Sequence, residues 1–438
     1  MTLSPYEGPS VFGFETDALR RVAVISVHTS PLATLGGRDA GGMNVYLREL
    51  ACNTSQLGVP VDIFTRRADP TAPETIQICN NVTVVNVSAG PPAPVDKNQL
   101  FNILPEFAHE VALYGLRTGV RYDIVHAHYW LSGWVAHLLK RYWDIPFIQM
   151  FHTTAHMKNA VSSERLQETE LRAKTERALV TLADSVIAAN PAERADLIWR
   201  QHAPAEKTCT IPPGVDTSLF RPLNRETSRR TLGLPTDREI ILFVGRIDPI
   251  KGIDVLLHAA ATMVETADMP LFVFVGGDLD KDGVPVGPLA DVVANAEQLG
   301  LSSHCHFVGS QPQNELPLYY AAADITAVPS RYESFGLVAV ESMACGTPVV
   351  ASRVGGLTFT VEDGESGILV PHGDVQSLAT GLQTLLEDRH LRTIMGRMGH
   401  FSAERFSWDS VASSVVHLYY RLAGGHSAKL CCDEEVFA

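Results

Sequence analysis

Short apolar runs rich in β-branched residues recur along the chain, separated by longer amphipathic stretches. In the first half the runs are Val22–Val27, Val61–Phe64, Val82–Val87, Ile124–His128, Phe147–Phe151 and Val186–Ala189. Several are apolar at nearly every position, as in strands covered on both faces. The pattern restarts with Ile240–Val244, Leu271–Val275, His306–Val308, Ile325–Val328, Val349–Ala351 and Ile368–Val370. Strand–helix alternation in two blocks predicts an α/β protein of two doubly wound, Rossmann-like domains. The segment IPPGVDTSLFRPLNRETSRRTLGLP, rich in proline and turn residues, separates the blocks. The expected division is 1–214 and 215–404, with a loosely ordered tail at 425–438. Open parallel sheets bind ligands at the carboxyl ends of their strands, so a cleft between the two domains is the expected site.

Composition narrows the partners. The 438 residues are 45% hydrophobic and 19% charged, and the formal net charge is −14. With no run of lysines and arginines to oppose that field, neither nucleic acid nor a membrane surface is an expected partner. An anionic substrate must meet a few placed cations instead. No apolar run reaches the roughly 20 residues that span a bilayer, and the N-terminus lacks the basic start and apolar stretch of a signal peptide. The seven cysteines, Cys52, Cys79, Cys209, Cys305, Cys345, Cys431 and Cys432, form no CxxC pair. They read as free thiols in a reducing cytoplasm, where the sequons at Asn53, Asn81 and Asn86 carry no glycan.

Three segments carry candidate chemistry. In VISVHTSPLATLGGRDAGGMNVYLREL a strand ends near His28, Gly41 and Gly42 follow, and a helix opens around Asn44. Paired glycines at a helix start let a backbone approach an anion, or simply make a turn. The spacing is not GxGxxG, which argues against a dinucleotide enzyme. In FVGRIDPIKGIDVLL, Arg246 and Lys251 lie five residues apart at the mouth of a strand. They fit a diphosphate and the charge that grows as it leaves, or two solvated surface charges. In PSRYESFGLVAVESMACGTPVVASRVGG, Glu333 stands in a loop, Gly336 starts a buried helix, and Glu341 lies two turns on. A carboxylate on a buried helix needs partners, and ribose hydroxyls suit it. Capping of backbone amides is the structural alternative.

The pair Glu333 and Glu341, followed by CGTPVVAS and GG, resembles the retaining glycosyltransferases of the GT-B fold, family 4, the group that includes sucrose and glycogen synthases. GRIDPIKG and IPPGVDTSLF resemble further signatures of that group, and the likeness covers roughly residues 20–422. It implies that Arg246 and Lys251 hold the diphosphate, that Glu341 holds the ribose, and that His152 and Glu333 meet the transferred sugar. Gly42, Ser334, Phe335, Gly336 and Leu337 would border the nucleotide sugar. The co-substrate would be a UDP-sugar or ADP-sugar, with no metal and no other cofactor. The acceptor would attack on the face the diphosphate leaves, giving it the proton. A last helix, about 405–424, would cross back onto the first domain.

Lys97, Tyr129, Thr153, Lys158 and Arg172, with Gly42 and Asn44, fall at positions that resemble the acceptor-phosphate pocket of two groups in this family. One is the sucrose-phosphate synthases; the other is the inositol-phosphate N-acetylglucosaminyltransferases of mycothiol synthesis. GGMNVY and HAHYWLSG are closer to the second. The wider spread of the first nevertheless puts transfer of glucose to fructose 6-phosphate as the first expectation, with N-acetylglucosamine to inositol phosphate as the alternative. A catalytically inert sugar-nucleotide-binding protein on the same fold would keep the cleft and lose the clamp. An epimerase would need no acceptor pocket. Two other patterns imitate metal sites. Asp278, Asp280, Asp282 and Gly283 start like a calcium loop, but the twelfth position is Leu289. His126 and His128 share one strand face with no evident third ligand, as in a packed or substrate-facing pair.

Overall fold

The computed structural model describes residues 19–33, 42–97, 99–159, 168–263 and 269–425. Gly41, residues 1–18 and the tail 426–438, with Cys431 and Cys432, lie outside the described residues.

Two largely parallel sheets organise the chain. The first contains β1 (Val22–Ser26), β2 (Val61–Arg66), β3 (Thr75–Cys79), β4 (Val82–Val87), β5 (Ile124–His128), β6 (Phe147–Met150), β7 (Ser185–Ala188) and β8 (Thr208–Thr210). Their spatial order is β3-β4-β2-β1-β5-β6-β7-β8. The second contains β9 (Ile240–Val244) and β10 (Leu271–Val275), then, after a two-stranded hairpin of β11 (Asp278–Leu279) and β12 (Pro285–Val286), β13 (Cys305–Gly309), β14 (Ile325–Val328), β15 (Val349–Ser352) and β16 (Gly367–Val370). Its order is β13-β10-β9-β14-β15-β16. All the apolar runs read as strands are strands, their ends shifted by at most two residues. Helices cover both faces of each sheet, so β1, β5 and β10 are buried at every position. Chain order jumps beside β1 and beside β9, the switch points where an open sheet leaves a crevice.

The apolar code does not mark every strand. Edge strand β3 runs antiparallel to β4 and is mostly wet, and β8 is only three residues long. The wet edge also overturns part of the cysteine reading. Cys79 ends β3, Cys52 lies in the helix Gly42–Gln56, and the two form a disulfide with Cα atoms 6.0 Å apart. The expectation of free thiols is therefore wrong for this pair: folding brings together two cysteines whose 27-residue separation carries no motif. Among the described residues, Cys209, Cys305 and Cys345 form no disulfide.

After the second sheet the chain returns to the first. Val215 N donates to Phe406 O at 2.7 Å, and Gly214 lies flat against the Trp408 indole, where a Cβ would sit 2.5 Å from the ring. The helix Trp408–Ala423 packs on the helix Gly42–Gln56, with Trp408 edge-on to Tyr46 at 5.5 Å between centroids. Tyr419 shares a 2.8 Å hydrogen bond with His126 of β5. Among the described residues no helix is long and apolar enough to cross a membrane.

Candidate active site

A cavity of about 470 Å³ lies between the two sheets and takes its lining from both. It opens where β1, β5, β6, β9, β10 and β14 end, as sheet topology demands. His28, Gly42, Asn44, Lys97, Tyr129, His152, Thr153 and Lys158 line one wall; Arg246, Lys251, Glu333, Ser334, Phe335, Gly336, Leu337 and Glu341 line the other. Among the described residues assigned from the sequence to the donor and acceptor sites, Arg172 alone stands behind the wall. Gly42 touches the facing wall: a Cβ there would meet Leu337 Cδ1 at 3.0 Å.

The cationic loop is shaped by two caps. Asp248 accepts from Ile250 N at 3.0 Å and starts the turn Pro249–Lys251; Gly252, at φ +68°, ends it. A Cβ on Gly252 would lie 2.1 Å from Pro329 O, so only glycine lets this loop press against the one after β14. The approach puts Lys251 Nζ 2.6 Å from Glu333 Oε2, with side chains 20% and 15% exposed. Arg246 is more open, with Asp248 at 3.9 Å.

The acidic loop rests on the glycine pair that follows β15. Gly356 N donates to Glu333 O at 2.9 Å, and a Cβ on Gly355 would come within 2.2 Å of the same carbonyl. Gly336, at φ +94°, then opens the helix Leu337–Ala344, which buries Glu341. Burial raises the Glu341 carboxyl to about 7, although the Tyr320 hydroxyl that donates to Oε2 at 2.7 Å pulls the other way. Neither Tyr320 nor Asn190, whose Nδ2 donates to Ser334 O at 2.6 Å across the cleft, is marked by any sequence signal.

Four histidines converge at the first wall, His28 and His152 in its lining and His126 and His128 beneath it. His128 Nδ1 and His152 Nε2 share a 3.0 Å hydrogen bond, and the His126 and His128 rings lie with centroids 4.2 Å apart, tilted by 40°. Burial lowers His28, His126 and His152 to about 3 and His128 well below its ordinary value, so all four are neutral at physiological pH. His126 and His128 are thus a packed pair. His152 sits at φ +60°, a left-handed conformation that turns the chain at the end of β6. The acidic run from Asp278 is a surface hairpin, in which Asp280 accepts from the amides of Asp282 and Val284.

Behind the first wall lies a charged cluster. Arg172 is 1% exposed and fully engaged. Nε donates to Glu176 Oε1 at 2.6 Å, Nη1 to the Tyr129 hydroxyl at 3.0 Å, and Nη2 to Thr153 O at 2.7 Å. Lys158 Nζ lies 2.8 Å, Arg172 Nη1 3.0 Å and Lys97 Nζ 3.6 Å from Glu168 Oε1. Asn44 turns inward, donating to Thr29 Oγ1 at 2.6 Å. Glu168 and Glu176 were not foreseen.

Residues 40–219 match the family model described as Glycosyltransferase Family 4, and residues 224–400 match Glycosyl transferases group 1. The D-inositol 3-phosphate glycosyltransferase of Corynebacterium efficiens is 42% identical over 407 residues, covering 91% of this chain and 95% of that one. The chain belongs to the family 4 glycosyltransferases. The D-inositol 3-phosphate glycosyltransferase of Thermobifida fusca is likewise 42% identical, over 91% of this chain and 93% of its own. Among solved structures, the sucrose-phosphate synthase of Thermosynechococcus elongatus superposes with a TM-score of 0.85 at 36% identity, covering 93% of this chain and all of that one. The two-domain GT-B architecture expected from the sequence is the observed one, and the enzyme is a transferase that takes its sugar from a nucleotide sugar.

Proposed function

We propose that this glycosyltransferase moves N-acetylglucosamine from UDP-N-acetylglucosamine to an inositol phosphate with retention at the anomeric carbon. The observation that carries a phosphorylated acceptor is the gathering of Lys97, Lys158 and Tyr129 on the wall opposite the Arg246 and Lys251 loop, with Arg172 behind it on the Tyr129 hydroxyl; the 42% identity to enzymes named for inositol phosphate supports that acceptor. A cleft with separate cations on each wall suits two anionic substrates, a diphosphate and a phosphate monoester. Residues 1–214, with the returning helix at 405–424, would form the acceptor domain, and 215–404 the nucleotide-sugar domain.

In this reading Arg246 and Lys251 hold the diphosphate and stabilise the charge that develops on it. Glu341 accepts from the ribose hydroxyls through the oxygen Tyr320 leaves free. Glu333 and neutral His152 orient the sugar, with Ser334, Phe335, Gly336, Leu337 and Gly42 closing around it. The acceptor hydroxyl forms its bond to the anomeric carbon on the face where the bond to diphosphate breaks. Its proton passes to the departing phosphate oxygen, so no separate base is required. Thr153 and Asn44 border the acceptor.

Transfer of glucose to fructose 6-phosphate is the second reading, favoured by the 0.85 TM-score and 36% identity to a sucrose-phosphate synthase. The sequence put it first on breadth alone; the 42% identity to enzymes named for inositol phosphate reverses the order. The deciding assay crosses UDP-glucose, ADP-glucose and UDP-N-acetylglucosamine with inositol 3-phosphate and fructose 6-phosphate, reading nucleotide release and product mass. The fastest release is expected from UDP-N-acetylglucosamine with inositol phosphate. Faster turnover with fructose 6-phosphate would select the second reading, and release independent of either phosphate would defeat both.

A further inference from the structure

The three cations assigned to the acceptor phosphate already share a carboxylate of the protein. Lys158, Arg172 and Lys97 all point at one atom, Glu168 Oε1, at 2.8, 3.0 and 3.6 Å. Glu168 is 8% exposed. Although burial opposes it, the fields of Arg172, Lys158 and Lys97 bring its carboxyl down to about 2, so it is ionised at neutral pH. A phosphate oxygen placed as Oε1 is, close to Lys158 and Arg172 and 3.6 Å from Lys97, would occupy the position that Oε1 holds.

The second carboxylate of the cluster is built differently. Glu176 accepts from Arg172 Nε with one oxygen and from Ala155 N at 2.8 Å with the other, so it is tied to the backbone. The side-chain contacts described for Glu168 all go to the three cations; only its backbone amide is anchored, donating to Asn159 Oδ1 at 2.7 Å. Charge separates the two as well. With both carboxylates in place the cluster carries one net positive charge. A phosphate dianion added to that leaves it net negative in a part-buried setting, whereas a dianion that displaces Glu168 leaves it neutral.

We propose that Glu168 is an exchangeable tenant of the acceptor-phosphate pocket: it holds the three cations together before the acceptor arrives and swings out when the phosphate enters. This rests on the assignment of those cations to the acceptor phosphate. The exchange makes Glu168 a specificity-determining residue. Free inorganic phosphate must displace the carboxylate with no other contacts to offset the loss, so it binds poorly. A phosphorylated acceptor brings ring hydroxyls that bind elsewhere in the cleft and complete the exchange.

The test is calorimetric titration of inorganic phosphate into the full chain, with Glu168→Gln, Glu168→Asp and Lys97→Ala beside the parent. Charge-assisted contacts of this kind carry enough energy that removing the competitor should tighten phosphate binding on the order of tenfold or more in Glu168→Gln. Inorganic phosphate should then become a competitive inhibitor against whichever phosphorylated acceptor supports turnover, with the donor half-saturation unchanged. It should also raise the melting temperature of Glu168→Gln more than that of the parent. If Glu168→Gln does not fold, Glu168→Asp decides, its shorter carboxylate giving a smaller tightening. Unchanged or weaker phosphate binding in the folded variant would overturn the proposal and make Glu168 a fixed strut like Glu176. Lys97→Ala separates this from failure of the underlying assignment. If it weakens acceptor and phosphate while Glu168 variants do not tighten them, the pocket stands and the tenant falls. If it changes neither, the pocket assignment falls and the proposal with it.

Discussion

Replacing Lys251 with alanine tests the donor side of the cleft. In the free enzyme the ammonium lies 2.6 Å from Glu333 Oε2, and both side chains keep some contact with water. Losing a partly wet ion pair costs the fold only about 1 kcal/mol, so the variant should fold and melt within a few degrees of the parent. Its effect on turnover should be much larger. The turn held by Asp248 and Gly252 fixes this cation before the donor binds, and loss of one preorganised charge opposite a developing anion typically costs about 10²- to 10³-fold, or roughly 2.7–4 kcal/mol. The assay is initial nucleotide release at saturating donor and acceptor, paired with a thermal melt. Adding Glu333→Gln should produce non-additivity above about 0.5 kcal/mol, since the two side chains touch. Turnover within about threefold of the parent would refute the clamp, and a collapsed fold would show that the pair is structural.

Three further outcomes follow from the geometry. Glu341, raised to about 7 by burial, should bind ribose hydroxyls better when ionised; affinity for a UDP-sugar, whose esterified diphosphate has no neutral-range titration, should improve about tenfold from about pH 6 to about pH 8. A flat calorimetric profile, or one that falls, would count against that contact. Gly252→Ala forces a positive φ and a clash with Pro329 O, so it should lower the melting temperature by a strain of about 1–3 kcal/mol and reduce turnover together, as followed by calorimetry and nucleotide release; an active, equally stable variant would contradict the close approach. Peptide mapping without reductant should recover Cys52 joined to Cys79, and Cys52→Ser should cost about 3–4 kcal/mol in chemical denaturation. Recovery of both as free thiols would remove the disulfide.

How far the sequence could be read depended on the distance over which each feature is encoded. Buried strands were legible because burial on both faces leaves a continuous apolar run, as in β1 and β10. The loops of Lys251 and Glu333 were legible because the motifs that carry the family resemblance, GRIDPIKG and the run from Glu333 to Glu341, are contiguous along the chain. Edge strand β3 was missed because a wet edge needs no apolar code. The Cys52–Cys79 pair was missed because its halves lie on β3 and on the helix Gly42–Gln56, which meet only when both pack against the rest of the sheet. Glu168 was invisible for a related reason. One among 49 acidic residues, it gains meaning only from Lys97, Lys158 and Arg172, which the fold collects from three separate segments.

The return of the chain to its starting half bears on how the molecule is made. Tyr46 in the helix Gly42–Gln56 is covered by Trp408, and His126 finds its hydrogen-bond partner in Tyr419. During synthesis the first half therefore emerges with an open apolar seam, which closes only when the ribosome has delivered the helix Trp408–Ala423. A nascent chain must wait through the whole second sheet before its first core is sealed. The same geometry governs engineering: a chimera that exchanges the first half between relatives has to carry the matching last helix with it.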